Sequence, residues 1–124
     1  MAHPQFSCKV QVQVLPEQTA PSEAQYAFSY TITITNTGDI AAQLIARHWL
    51  IVDAHGDEQA VNGLAVVGHQ PHLQPGESFQ YSSWAQISTP QGSMRGRYLC
   101  VTDDAEIFYA EVPEFILAEA GSLH

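Results

Sequence analysis

Side-chain polarity in this chain repeats every two residues, and that period leaves little room for anything but extended strands. From Tyr26 the sequence reads Tyr-Ala-Phe-Ser-Tyr-Thr-Ile-Thr-Ile-Thr, with Tyr26, Phe28, Tyr30, Ile32 and Ile34 on one face and Ala27, Ser29, Thr31, Thr33 and Thr35 on the other. Successive side chains of a strand point to opposite faces, and β-branched and aromatic residues suit that pleated surface. Cys8, Val10, Val12 and Val14 alternate in the same way with Lys9, Gln11 and Gln13. No segment repeats its apolar residues at the 3.6-residue spacing of an amphipathic helix.

Residues 42–52 are apolar in both phases. Leu44, Ala46, Leu50 and Val52 fall on one face, and Ile45, Trp49 and Ile51 on the other, so this strand is expected to be covered on both sides. Further strands are expected over 58–62, 77–84, 93–102 and 106–115. Turn signals separate them: Pro16 to Pro21, Asn36 to Asp39, Asp53 to Asp57, Pro75-Gly76, Thr89 to Gly92 and Asp103-Asp104. About seven or eight short strands broken by turns predict an all-β fold, a single antiparallel β-sandwich. At 124 residues the chain is expected to form one domain over 1–124, with 1–5 and 119–124 as flexible termini.

Charge narrows the function. Four Lys and Arg face 13 Asp and Glu, a formal net charge of −9. Such a surface repels nucleic-acid backbones and anionic headgroups, so neither nucleic acid nor membrane insertion is expected. No apolar run approaches the ~20 residues of a membrane helix, and the start, Met-Ala-His-Pro-Gln-Phe, lacks the form of a secretory signal. A cytoplasmic location is expected. Cys8 and Cys100 lie in apolar strands and read as free, inert thiols.

The candidate sites are few. Gly63-Leu-Ala65-Val-Val-Gly68 nearly spells G-x-G-x-x-G, but His69-Gln-Pro-His-Leu-Gln-Pro-Gly76 follows, where a helix cannot form to hold a pyrophosphate. What remains is a loop whose successive amides form an anion nest, or a bulged edge that merely needs its glycines. Arg47 is the first candidate for an anion contact, since the chain has so few cations. Arg47 and Trp49 share one strand face and His48 takes the other; Trp49 is expected to fill the core. Asp53, His55 and Asp57 in one turn, and His69 with His72 across Pro71, offer metal-ligand chemistry without the spacing of a metal motif, and no metal or other cofactor is expected. The serines of Tyr81-Ser82-Ser83-Trp84 lack a nucleophile elbow, and Asp103 and Asp104 point apart, so the chain does not read as an enzyme. Trp84, if exposed beside Phe79 or Tyr98, is the candidate anchor for a protein contact.

The order and spacing of Arg47-His-Trp49, Asp53-Ala-His-Gly56, the glycine segment, Pro71, Leu73 and Pro75-Gly-Glu77 resemble the ApaG family of small bacterial proteins. Phe79, Tyr81-Ser-Ser83, Thr89-Pro-x-Gly92, Met94-x-Gly96-x-Tyr98 and Val112-Pro-x-Phe115 continue the match, which runs from about Val10 to Leu117. The resemblance implies an immunoglobulin- or fibronectin type III-like sandwich. It also implies a link to cobalt resistance and magnesium efflux. The family usually has glycine where this chain has Ala65, and commonly glycine at the position of Trp84. Related domains are appended to eukaryotic F-box proteins and to a polymerase-delta-interacting protein, which implies an interaction module. Proximity of the family's genes to a diadenosine-tetraphosphate hydrolase implies, as the alternative, a sensor of pyrophosphate or nucleotide polyphosphates at Arg47, Gly63, Ala65 and Gly68. The expected partners are thus an unidentified protein, a phosphate-containing small molecule, or a second copy of the chain, since Leu44 and Ile45 are both apolar.

Overall fold

In the computed structural model, which describes residues 2–118, eight strands form two antiparallel sheets packed face to face. The strands are β1 (Phe6–Val14), β2 (Tyr26–Asn36), β3 (Ala42–Asp53), β4 (Glu58–Leu64), β5 (His72–Leu73), β6 (Ser78–Ile87), β7 (Gly92–Thr102) and β8 (Ile107–Leu117). One sheet has the order β1-β2-β6; the other runs β4-β3-β7-β8, with the short β5 pairing to the start of β3. This is the fibronectin type III-like arrangement. The proline-rich loop after β1 holds two single 3-10 turns, Pro16–Gln18 and Pro21–Glu23.

The alternation of β2 predicts its packing well. Phe28, Tyr30, Ile32 and Ile34 are buried between the sheets. Outward Thr31 and Thr35 instead bond Ser82 and Ser78 across the β2–β6 pair, at 2.7 Å each.

In β3 the unbroken alternation expected from the sequence is not what forms. The register against β7 shifts between Leu44 and Ala46, so Ile45 is an extra residue on β3. A bulge of this kind reverses the facing of everything beyond it. Leu44 before the bulge and Trp49 and Ile51 after it therefore all enter one core, while Leu50 and Val52 are turned outward and half-buried. The two apolar phases belong to one buried face, not to a strand covered on both sides. A second shift lies between Met94 and Gly96, where four residues of β8, 112 to 115, oppose three of β7, 94 to 96. Pro113 sits in this bulge on an edge strand, where its missing N–H costs no ladder bond.

Trp49 is the hub of the core. Its ring meets Tyr30 at 5.8 Å, Tyr98 at 5.8 Å and Phe115 at 6.2 Å between centroids, all near edge-to-face. Gly96, its cross-strand partner, makes room: a Cβ there would lie 2.2 Å from the His48 carbonyl oxygen and 2.6 Å from Trp49 Cε3. Between the sheets the hydroxyls of Tyr81 and Tyr98 bond each other at 2.6 Å. Burial lifts both phenols well above their ordinary range.

The N-terminal residues expected to be loose are hydrogen-bonded along 3–5. The amides of Thr37 and Gly38 donate to the Gln5 carbonyl, and the His3 amide donates to Asp39 Oδ1 at 2.6 Å. Residues 119–124, the other expected flexible terminus, lie outside the described residues.

Replacing Gly96 with Ala should cost about 3 kcal/mol by overpacking the Trp49 seat, read as a fall in the urea midpoint with an unchanged m-value. The raised phenols also fix the alkaline limit. Tyr30, Tyr81 and Tyr98 ionise with difficulty in the folded state, so their contribution is complete below about pH 10 and is lost as pH rises beyond it. Tyrosinate absorbance from these three should appear together with loss of near-UV circular dichroism, not before it.

Candidate functional site

One side of the sandwich is closed and the other is open. Phe6 of β1 and Phe108 of β8 meet edge to face at 5.4 Å, which brings those edge strands together. On the opposite side β4 and β6 stand apart around a cleft of about 510 Å³. Tyr30, Trp49, Ile51, Ala85 and Met94 contribute its inner walls, with Arg47, Gln59, Val61 and Ser83 to Gln86 along its borders.

Arg47 reaches this cleft because it shares the inner face with Trp49, two residues away, as the sequence predicts. Its cross-strand partner is Gly63, and a Cβ at Gly63 would stand 3.0 to 3.1 Å from the guanidinium. The guanidinium thus lies against bare backbone. Its Nη1 donates to the carbonyls of Leu64 and Ala65, at 2.8 Å each. Among the described residues the ion pairs are Arg95 with Glu114, at 3.8 Å, and His72 with Asp103, at 2.7 Å; Arg47 is paired with no carboxylate. Arg97 instead sits 4.2 Å above the Tyr109 ring. The Tyr30 hydroxyl bonds the Ser83 side chain; burial raises its pKa, and that bond and the Arg47 charge partly oppose the rise.

The glycine segment is a hairpin tip. Ala65 N–H donates to the Ile45 carbonyl, and Val66 and His69 exchange amide-to-carbonyl bonds in both directions. Between them Val67 and Gly68 have φ of +48° and +79°, the pattern of a type I′ turn. Ala65 also lies in the left-handed region, at +67°, where a glycine would sit without strain. The amides of Ala65, Val66 and His69 are therefore committed to backbone carbonyls. Val66 is fully buried, whereas Leu64 and Val67 are 72% and 59% exposed. The structure brings Arg47, Gly63 and Ala65 together. It leaves Gly68 at the turn, where an added Cβ would meet nothing.

Trp84 is 58% exposed, on the outward phase of edge strand β6. Phe79 and Tyr98 are not its neighbours, since β6 residues of odd number face inward. Its outer surroundings are Leu15, Gln18, Ser29 and Ser82.

The ligating atoms of Asp53, His55 and Asp57 lie within 4.8 Å of one another. Asp53, however, organises its own turn. Its Oδ1 accepts from the amides of His55 at 2.8 Å and Asp57 at 3.0 Å, and its Oδ2 accepts from the Ser88 hydroxyl at 3.0 Å. Desolvation raises the carboxyl, but these bonds together with the His55 charge outweigh it and hold the group below its usual range. His69 packs on Phe79 at 5.5 Å and His72 bonds Asp103, so these two histidines serve different neighbours. Burial pushes Cys8 up to about 11 and Cys100 up to about 12. Neither is an activated thiolate.

The comparisons with known proteins agree with this architecture. A family model described as the ApaG domain matches residues 16–102. The chain belongs to the ApaG family. It is 55% identical to Protein ApaG of Ralstonia nicotianae over the whole of both chains, and 54% identical to Protein ApaG of an Acidovorax species over 92% of this chain and 86% of that one. A crystal structure of a Bordetella pertussis protein named ApaA superposes with a TM-score of 0.93, at 45% identity over 96% of this chain and 97% of that one. Among the described residues no helix is long and apolar enough to cross a membrane.

Sequence reasoning missed Tyr30, Ser83 and Met94 as cleft residues. They come from β2 and β6 of one sheet and β7 of the other, and only the relative placement of β4 and β6 could reveal them. The indole N–H of Trp49 was missed as well: it is buried without a hydrogen-bond partner among the described residues.

Val67 is β-branched yet held at positive φ, a conformation that costs roughly 1–2 kcal/mol. Val67→Gly should recover about 1 kcal/mol and raise the melting temperature by a few degrees in differential scanning calorimetry.

Proposed function

We propose that this ApaG-family domain is a non-catalytic binding module that acts in the cytoplasm by contact with a protein partner. The observation that carries the reading is Trp84, a large aromatic surface left 58% exposed on the edge strand β6. Aromatic residues of this kind are the usual anchors of protein interfaces, and an edge strand offers unpaired backbone groups beside them. The non-catalytic reading is supported by how the reactive groups are committed. Cys100 is buried and Cys8 half-buried, the Tyr81 and Tyr98 hydroxyls bond each other, and the Asp53 carboxylate caps its turn. A connection to cobalt resistance and magnesium efflux would run through such a contact, with the partner handling the ion. A sensor of pyrophosphate or nucleotide polyphosphates at the glycine hairpin draws less support. That hairpin turns two carbonyls toward Arg47 and has its Ala65, Val66 and His69 amides already bonded.

The test is quantitative affinity capture from source-cell extract with wild-type protein, Trp84→Ala and Ile107→Ser, the last on the opposite edge. A partner held by wild type and Ile107→Ser but reduced about tenfold by Trp84→Ala is the expected result, the effect of losing one aromatic anchor. Equal retention by Trp84→Ala would overturn the reading.

A further inference from the structure

We propose that the cleft between β4 and β6 binds a small organic acid, a single carboxylate on an apolar body, with Arg47 holding the carboxylate. The proposal goes beyond the protein-contact reading, resting on it only in that the acid is held and not converted.

Three observations converge. The first is charge. The chain has thirteen acidic residues and four basic ones, yet among the described residues no Asp or Glu lines the cleft. Arg47 enters it unpaired with any carboxylate, its guanidinium fixed by the Leu64 and Ala65 carbonyls. Both of those bonds use Nη1, which leaves the Nη2 and Nε donors for a ligand. A planar guanidinium with two donors to spare matches a carboxylate.

The second is an orphan donor. Trp49 Nε1 is buried and without a partner among the described residues. The ring lines the cleft, but the nitrogen itself is shielded from solvent, so an acceptor reaches it only if a wall side chain moves; its resonance reports a ligand packed against the ring.

The third is shape. Ile51 and Met94 form apolar wall beside the Tyr30–Ser83 hydroxyl pair, and the volume of about 510 Å³ lies in the range of small-ligand sites. One fixed cation in a chain of net charge −9 suits a monoanion and opposes a polyphosphate.

The test is a titration of the isotope-labelled full chain with phenylacetate, with its neutral isostere phenylacetamide, and with pyrophosphate, following the Trp49 indole N–H and Arg47 Nε–H resonances. Phenylacetate should shift both saturably, and phenylacetamide should bind about tenfold more weakly or less. Arg47→Met should weaken phenylacetate about tenfold while leaving phenylacetamide unchanged. Val61→Trp, which narrows the cleft from β4 and leaves Arg47 in place, should weaken both; it serves also if Arg47→Met does not fold. No saturable shift at about 10 mM phenylacetate, equal affinity for the amide, or the same shifts from pyrophosphate at lower concentration would each overturn the proposal. No protein partner is present in this titration and no acid in the capture experiment, so either idea can fail alone.

Discussion

The seating of Trp49 over Gly96 is the contact on which the rest of the structure depends. A tryptophan needs a volume that a regular sheet face cannot give beside another side chain, and the bare backbone of Gly96 supplies it. Around that ring Tyr30, Tyr98 and Phe115 close from β2, β7 and β8, so one residue ties both sheets together. The seat also needs the bulge at Ile45. Without it, Leu44 and Trp49 would face opposite sides of the sheet and only one of them could enter the core.

The same geometry sets the position of Arg47. Two residues before Trp49, it points between the sheets, but at the side where β4 and β6 do not meet. A buried cation there would need a carboxylate or would be driven back to water. The hairpin that ends β4 offers a third solution. Two backbone carbonyls and the open face of Gly63 hold the guanidinium without neutralising it. The glycine segment therefore acts through what it offers an arginine. Within it the Ala65, Val66 and His69 amides are bonded in the hairpin and against β3.

The outer surface follows a different logic. Trp84 gains nothing from the core that its neighbours Ser83 and Ala85 face, and it lies beside Ser29 of β2 and Leu15 and Gln18 of the first loop. Its ring leaves an aromatic surface on an edge strand, the feature on which the protein-contact proposal rests.

The strands, the turns and hence the sandwich were readable along the chain, because period-two alternation and turn residues are local properties that each segment carries alone. Strand β2 and the turns at Pro75-Gly76 and Thr89 to Gly92 were legible in full; the placement of Arg47 beside Trp49 was legible too. The candidate site was legible only in part. Arg47 and Gly63 could be named, but the contact between them arises from register across β3 and β4. Tyr30, Ser83 and Met94 joined them only through folding. The bulge at Ile45 and the outward turn of Trp84 were decided by the tertiary structure alone. A bulge alters local geometry little, and its position is chosen by how distant side chains fill a shared core. Which strands end at open edges is likewise a property of the whole sheet order, written in no single segment.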